Sequence, residues 1–128
     1  MPLGWAEAAE DVRILLVDDS EPVREVFGRM LGHLGHMVVH AADGAEAIAA
    51  YQANRPDGVF LDLSMPGLSG LEVLKELVEL DPDARIAVLT SRRDAESVQA
   101  ALTGGARDYV VKPSTLARLR EACARLVA

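Results

Sequence analysis

The chain has 128 residues, half of them hydrophobic, which is enough for one well-packed domain and too few for two. Thirteen basic residues against twenty acidic ones leave a net charge of −7, a surface that repels phosphate backbones and argues against direct nucleic-acid binding. With no run of about eighteen apolar residues and no signal-like start, neither a membrane span nor a secretory leader is expected, and the setting read from the sequence is cytoplasmic.

Residues 1–11 carry no strong pattern and read as a short tail, with Trp5 resting on the surface, ahead of one domain over residues 12–128. From there short β-branched runs alternate with helix-period segments, the pattern of a parallel sheet covered by helices on both faces. Arg13 to Val17 reads as the first strand. Ser20 is a helix N-cap with Pro22 in the first turn, and Val23, Val26, Phe27, Met30, Leu31 and Leu34 recur at helical spacing as its inner stripe. Gly35 stops that helix and Met37 to Ala41 reads as the second strand. Asp43 caps a second helix with Ala47, Ile48 and Tyr51 inward, ended by the turn "NRPDG" at 54–58. Gly58 to Leu61 is the third strand, "SMPGLSG" at 64–70 a loop, and Leu71, Leu74, Leu77 and Val78 the inner face of a third helix. Arg85 to Leu89 reads as a fourth strand followed by Thr90, and a short helix from about Asp94 to Thr103 stops at Gly104 and Gly105. Asp108 to Val111 is the fifth strand. Thr115 to Val127 closes the chain as a helix with Leu116, Leu119, Cys123 and Leu126 inward.

In such an open α/β sheet, ligands bind beyond the carboxyl ends of the strands, where the strand order reverses. Asp18 and Asp19 follow the first strand, Asp62 the third, Thr90 the fourth and Lys112 the fifth, so all five converge on one edge. Three neighbouring carboxylates repel one another unless a cation joins them, and a small hard divalent ion with oxygen ligands, Mg²⁺, suits that set. A hydroxyl and an ammonium at the same edge are donors for the oxygens of a phosphoryl group.

The stretches "LVDDSEPVR", "VFLDLSMPGLSGLEVL", "VLTS" and "GARDYVVKP", in that order and at those strand ends, resemble the receiver domain of two-component response regulators, the CheY-like superfamily. The resemblance covers the chain from about Arg13 onward. It implies a doubly wound (βα)5 flavodoxin-like domain with a five-stranded parallel sheet in the order 2-1-3-4-5. It implies Asp62 as phosphoacceptor for a histidine kinase or histidine phosphotransfer protein, and Mg²⁺ (Mn²⁺ as a substitute) held by Asp18, Asp19, Asp62 and the backbone carbonyl of Ser64, with Asp19 and Asp62 favoured as direct ligands. Thr90 would be the switch hydroxyl, Lys112 the salt-bridging cation and Tyr109 the switch aromatic, together relaying the change to the face formed by the fourth helix, fifth strand and fifth helix. The Lys112–Pro113 bond is expected to be cis. Such a chain is a signalling switch rather than a turnover enzyme, although it assists its own phosphorylation and dephosphorylation. Its partners would be the phosphodonor and a downstream protein or attached effector domain, with a phosphorylation-dependent homodimer as a further option. A stand-alone receiver and a piece of a longer regulator both fit.

Ser91 and Ser114 stand where the family commonly has alanine and phenylalanine; Ser114 can cap the last helix. Two other function classes compete. A haloacid-dehalogenase-type phosphatase wants a second aspartate two residues after the nucleophile, where Ser64 stands; a receiver-like module that never uses phosphate would not need all five site residues. Cys123 reads as a buried structural thiol. His33, His36 and His40 straddle a helix end, a turn and a strand that point them apart, against a histidine metal site. Arg92 and Arg93 read as solvated.

Overall fold

The computed structural model describes residues 12–127, so the tail at 1–11 and Trp5 lie outside the described residues. Five strands, β1 (Arg13–Val17), β2 (Met37–Ala41), β3 (Gly58–Leu61), β4 (Ile86–Thr90) and β5 (Asp108–Val111), alternate with five helices. These are α1 (Glu21–His33), α2 (Gly44–Asn54), α3 (Gly70–Leu80), α4 (Ala95–Thr103) and α5 (Leu116–Val127). The strands form one parallel sheet in the order β2-β1-β3-β4-β5. Among the described residues no helix is long and apolar enough to cross a membrane.

Period-two alternation along the central strands makes the two layers. Leu15 and Val17 of β1, with Val59 and Leu61 of β3, pack beneath Ala47 and Tyr51 of α2, Val73, Leu74 and Leu77 of α3 and Ala101 of α4. Ile14 and Leu16, with Phe60, face the other way onto Phe27 and Leu31 of α1 and Leu119, Ala122, Cys123 and Leu126 of α5. Because β1 is followed by β2 on one side and by β3 on the other, the chain reverses direction across the sheet between β1 and β3. That reversal opens a crevice at the carboxyl ends of both strands.

The helix starts follow the sequence closely. Ser20 accepts from the Val23 N–H and Asp43 from the Glu46 N–H, and Ser69 with Glu72 forms a reciprocal capping box at the head of α3. Gly35, at φ +95°, ends α1 in the left-handed region that glycine adopts without strain. Several boundaries and faces differ from the sequence reading. β4 runs from Ile86 to Thr90 instead of Arg85 to Leu89, because the Thr90 carbonyl accepts the Lys112 N–H at 2.8 Å and Thr90 pairs with Val111. α5 begins at Leu116 with Thr115 as its cap, the Thr115 hydroxyl accepting from the Arg118 N–H at 3.1 Å; Ser114 does not cap it and donates to the Thr115 carbonyl. Val26, counted in the inner stripe of α1, is 57% exposed. The stripe is narrower than the spacing suggests because α1 meets the sheet mainly through Phe27 and Leu31.

Candidate functional site

The crevice gathers what the sequence placed at strand ends. One carboxylate oxygen from each of Asp18, Asp19 and Asp62 lies within 4.8 Å of the other two. Asp18, Asp62 and Thr90 are buried, at 3%, 5% and 0% exposure, while Asp19 opens to solvent. Lys112 reaches back from the end of β5 with its Nζ 2.5 Å from Asp18 Oδ2 and 3.7 Å from Asp62 Oδ2. Asp18 Oδ1 accepts the Ser20 N–H at 2.8 Å. Both Asp18 oxygens are therefore engaged by the protein itself, whereas Asp19 has no hydrogen bond or ion pair among the described residues. Asp62 Oδ1 accepts the Ser64 N–H at 3.2 Å, which leaves Oδ2 on the side of the ammonium.

Burial pushes the Asp62 carboxyl above the ordinary aspartate range, and the nearby Asp18 charge adds to that. The Thr90 hydroxyl, the Ser64 N–H and the Lys112 ammonium act in the opposite direction without cancelling it. The upward direction comes first from burial, and a cation placed among the three carboxylates would oppose it. The donor set is hard oxygen throughout, three carboxylates with one side open to water, and fits Mg²⁺ better than a softer ion. His33 and His40 are exposed and His36 half-buried with Nδ1 lacking a partner, and the aspartate triad is the metal-type cluster among the described residues. Cys123 is buried and its thiol is pushed up to about 11, so it stays protonated and inert.

Tyr109 lies half-buried against the core layer of α2, α3 and α4, and its hydroxyl donates to the Arg92 carbonyl at 2.8 Å. Thr90 Oγ1 accepts the Arg92 N–H at 3.5 Å. Thr90 and Tyr109 thus hold opposite sides of one residue in the β4–α4 loop. The side chains of Arg92 and Arg93 are exposed, and the Lys112–Pro113 peptide is cis.

Two contributors escaped the sequence reading. Gly70 opens α3 so near β3 that a Cβ there would collide with the carbonyl oxygen of Asp62 and the Cα of Leu63. The signal was present, a glycine at the first position of a helix, but it read as part of a loop. Arg24 donates from Nη1 to the Asp18 carbonyl at 2.5 Å; it stands within "VDDSEPVR", with nothing in the spacing to say where its side chain turns.

An acidic triad and a lysine thus meet at the switch point of a five-stranded parallel sheet of the flavodoxin-like class. The family model described as response regulator receiver domain matches residues 14–124, and the chain belongs to that family. Response regulator MprA from Mycobacterium sp. (strain KMS) is 46% identical over 108 residues, which are 84% of this chain and 47% of that protein. The chain thus spans about half the length of the curated relatives it matches. Among solved structures it is similar to the response regulator TrrA from Thermotoga maritima in complex with Mg²⁺ and BeF. The TM-score is 0.82 and the identity 36%, over 90% of this chain and 98% of that one. The CheX–CheY–BeF3–Mg²⁺ complex from Borrelia burgdorferi gives a TM-score of 0.87 at 28% identity, over 91% of this chain and 90% of that one.

Proposed function

We propose that the chain is a phosphoacceptor switch in which Asp62 accepts a phosphoryl group from a histidine kinase or a histidine phosphotransfer protein. The observation that carries this reading is a buried carboxylate, raised in pKa by its burial, facing an ammonium and two further carboxylates at the switch point of the sheet. An Asp62 oxygen attacks the phosphorus of the phosphohistidine, the P–N bond breaks with its electron pair going to the imidazole, and the new O–P bond leaves an acyl phosphate on Asp62. Mg²⁺, held by Asp19 and Asp62 with Asp18 and the Ser64 carbonyl in support, would supply the positive charge that this transfer needs, and Mn²⁺ would serve in its place. Lys112 holds Asp18 in place through its ion pair, and its ammonium can turn toward an oxygen of the bound phosphoryl group.

In the resting state the Thr90 hydroxyl faces the Asp62 carboxylate; a phosphoryl group on Asp62 would present it with new, more charged acceptor oxygens, and only such a differential contact can shift a two-state equilibrium. Moving the Thr90 hydroxyl disturbs Arg92, and with it the bond that holds Tyr109 in its present position. Tyr109 then relays the change to the face of α4, β5 and α5, where a downstream protein, an attached effector or a second copy would read it. A cytoplasmic setting goes with these partners.

The experiment is intact-mass measurement after incubation with acetyl phosphate and Mg²⁺. The wild-type chain is expected to gain one phosphoryl group, and Asp62→Asn or a chelator to abolish the gain. An unmodified wild type, or an Asp62→Asn chain modified equally, would favour a module that works without phosphate. Continuous release of phosphate from a small phosphate ester would favour the phosphatase reading instead.

A further inference from the structure

We infer that Arg24 is a positioning residue that holds the β1–α1 turn in the shape the metal pocket requires; this rests on reading that turn as the Mg²⁺ site. β1 ends at Val17, and Asp18 makes one last bond along the sheet, its N–H donating to the Ala41 carbonyl at 3.1 Å. No backbone N–H among the described residues bonds the Asp18 carbonyl, since the neighbouring Asp62 N–H goes to Val17 at 3.0 Å and β2 stops at Ala41. Arg24 supplies the partner from the first turn of α1. Its backbone N–H donates to the Ser20 carbonyl at 3.0 Å, and its Nη1 donates to the Asp18 carbonyl at 2.5 Å. Asp18 is thereby tied to the sheet through its N–H and to the helix through its carbonyl, and the charge-assisted bond from Arg24 is what holds the peptide leading into Asp19.

The clamp differs from the one Lys112 makes. Lys112 occupies a carboxylate oxygen of Asp18. Arg24 binds the main chain, so it brings a positive charge to the acidic turn without itself occupying a carboxylate oxygen of the triad. It matters most for Asp19, whose carboxylate nothing else among the described residues restrains and whose direction is set by the peptide before it. Groups that orient metal ligands in this way typically change metal affinity by about 10- to 100-fold when removed.

Two effects of removing Arg24 have opposite signs, which makes the inference testable. Loss of a nearby cation by itself tightens binding of a divalent cation, whereas loss of positioning weakens it. Mg²⁺ affinity measured by calorimetry is expected to fall about 10-fold in Arg24→Ala, with Arg24→Lys, which keeps the charge and a donor, recovering most of the loss. Circular dichroism and thermal unfolding without Mg²⁺ establish that the variant is folded. Should Arg24→Ala not fold, Arg24→Met keeps the stem packed along α1 and removes both donor and charge, and the same fall is expected of it. A folded variant that lacks the guanidinium and binds Mg²⁺ as tightly as wild type, or more tightly, would overturn the inference while leaving the site reading intact. A wild-type chain that takes up no Mg²⁺ would remove both.

Discussion

Asp108 shows how a residue outside the crevice supports the residue at its rim. It is buried, at 6% exposure, and burial alone would raise its pKa. The Arg118 guanidinium at 3.0 and 2.8 Å, the Tyr109 N–H at 2.8 Å and the Arg125 charge together outweigh that and hold the carboxyl below the ordinary aspartate range. Arg118 Nη2 also donates to the Tyr109 carbonyl at 3.2 Å, so the pair fixes the backbone on both sides of Tyr109. A carboxyl depressed in the folded state stabilises the fold fully above its unfolded pKa of about 3.9, and that contribution disappears as pH falls through the lower folded value. Asp108→Asn is therefore expected to lose about 2 kcal/mol at neutral pH, less than a fully buried pair because Arg118 is one-third exposed. Urea unfolding of both chains at neutral pH and in acid checks it, with the gap closing in acid; a gap independent of pH would mean the loss is packing and not charge. The sequence hid this pair. Asp108 reads as the first residue of a strand and Arg118 as a surface position on the next helix, and only the α5–β5 packing joins them.

At the scale of elements, the aspartates at strand ends were legible because strand limits follow from β-branched runs, and a parallel sheet sends all its carboxyl ends to one edge. What the one-dimensional pattern lacked was the distance between an element and its neighbour. Val26 fits the helical stripe, yet the sheet does not reach it. Gly70 looks like loop punctuation, yet α3 begins against the peptide of Asp62. These distances give two glycines opposite expected behaviour. Gly70→Ala has no room, since the obstructing atoms are main chain. It should destabilise by about 2 kcal/mol and slow phosphoryl acceptance by shifting Asp62. Gly32→Ala meets nothing within 4 Å near the end of α1; it should stabilise by up to about 1 kcal/mol through helix propensity and leave acceptance unchanged. Thermal unfolding and the time course of mass gain from acetyl phosphate read both effects. A Gly70→Ala chain as stable and as reactive as wild type would show that α3 can retreat without moving the site.

For the molecule as a whole, the distribution of apolar surface and charge bears on whether two copies associate. Among the described residues the large exposed apolar side chains are Val26 on α1, Met37 on β2, Leu80 on α3 and Leu102 on α4. Four such side chains spread over four different elements fall short of the stable interface of at least about 1,000 Å² that association requires. The net charge of −7 opposes association further at low salt. Light scattering without Mg²⁺ is therefore expected to give the monomer mass, and a dimer there would mean that an interface exists before any switching. Adding Mg²⁺ and beryllofluoride, a mimic of the phosphoryl group, asks whether the moved Tyr109 creates a new face. Leu102, 48% exposed on α4, borders that face, so a mass increase that Leu102→Glu abolishes would assign self-association to α4, β5 and α5. If the mass stays that of a monomer while the mimic binds, as followed by tyrosine fluorescence, the same face is presented to a different protein. The phosphoryl acceptance proposed for Asp62 is compatible with both outcomes, because the crevice is built from strand ends and leaves the outer face of α4 free to differ.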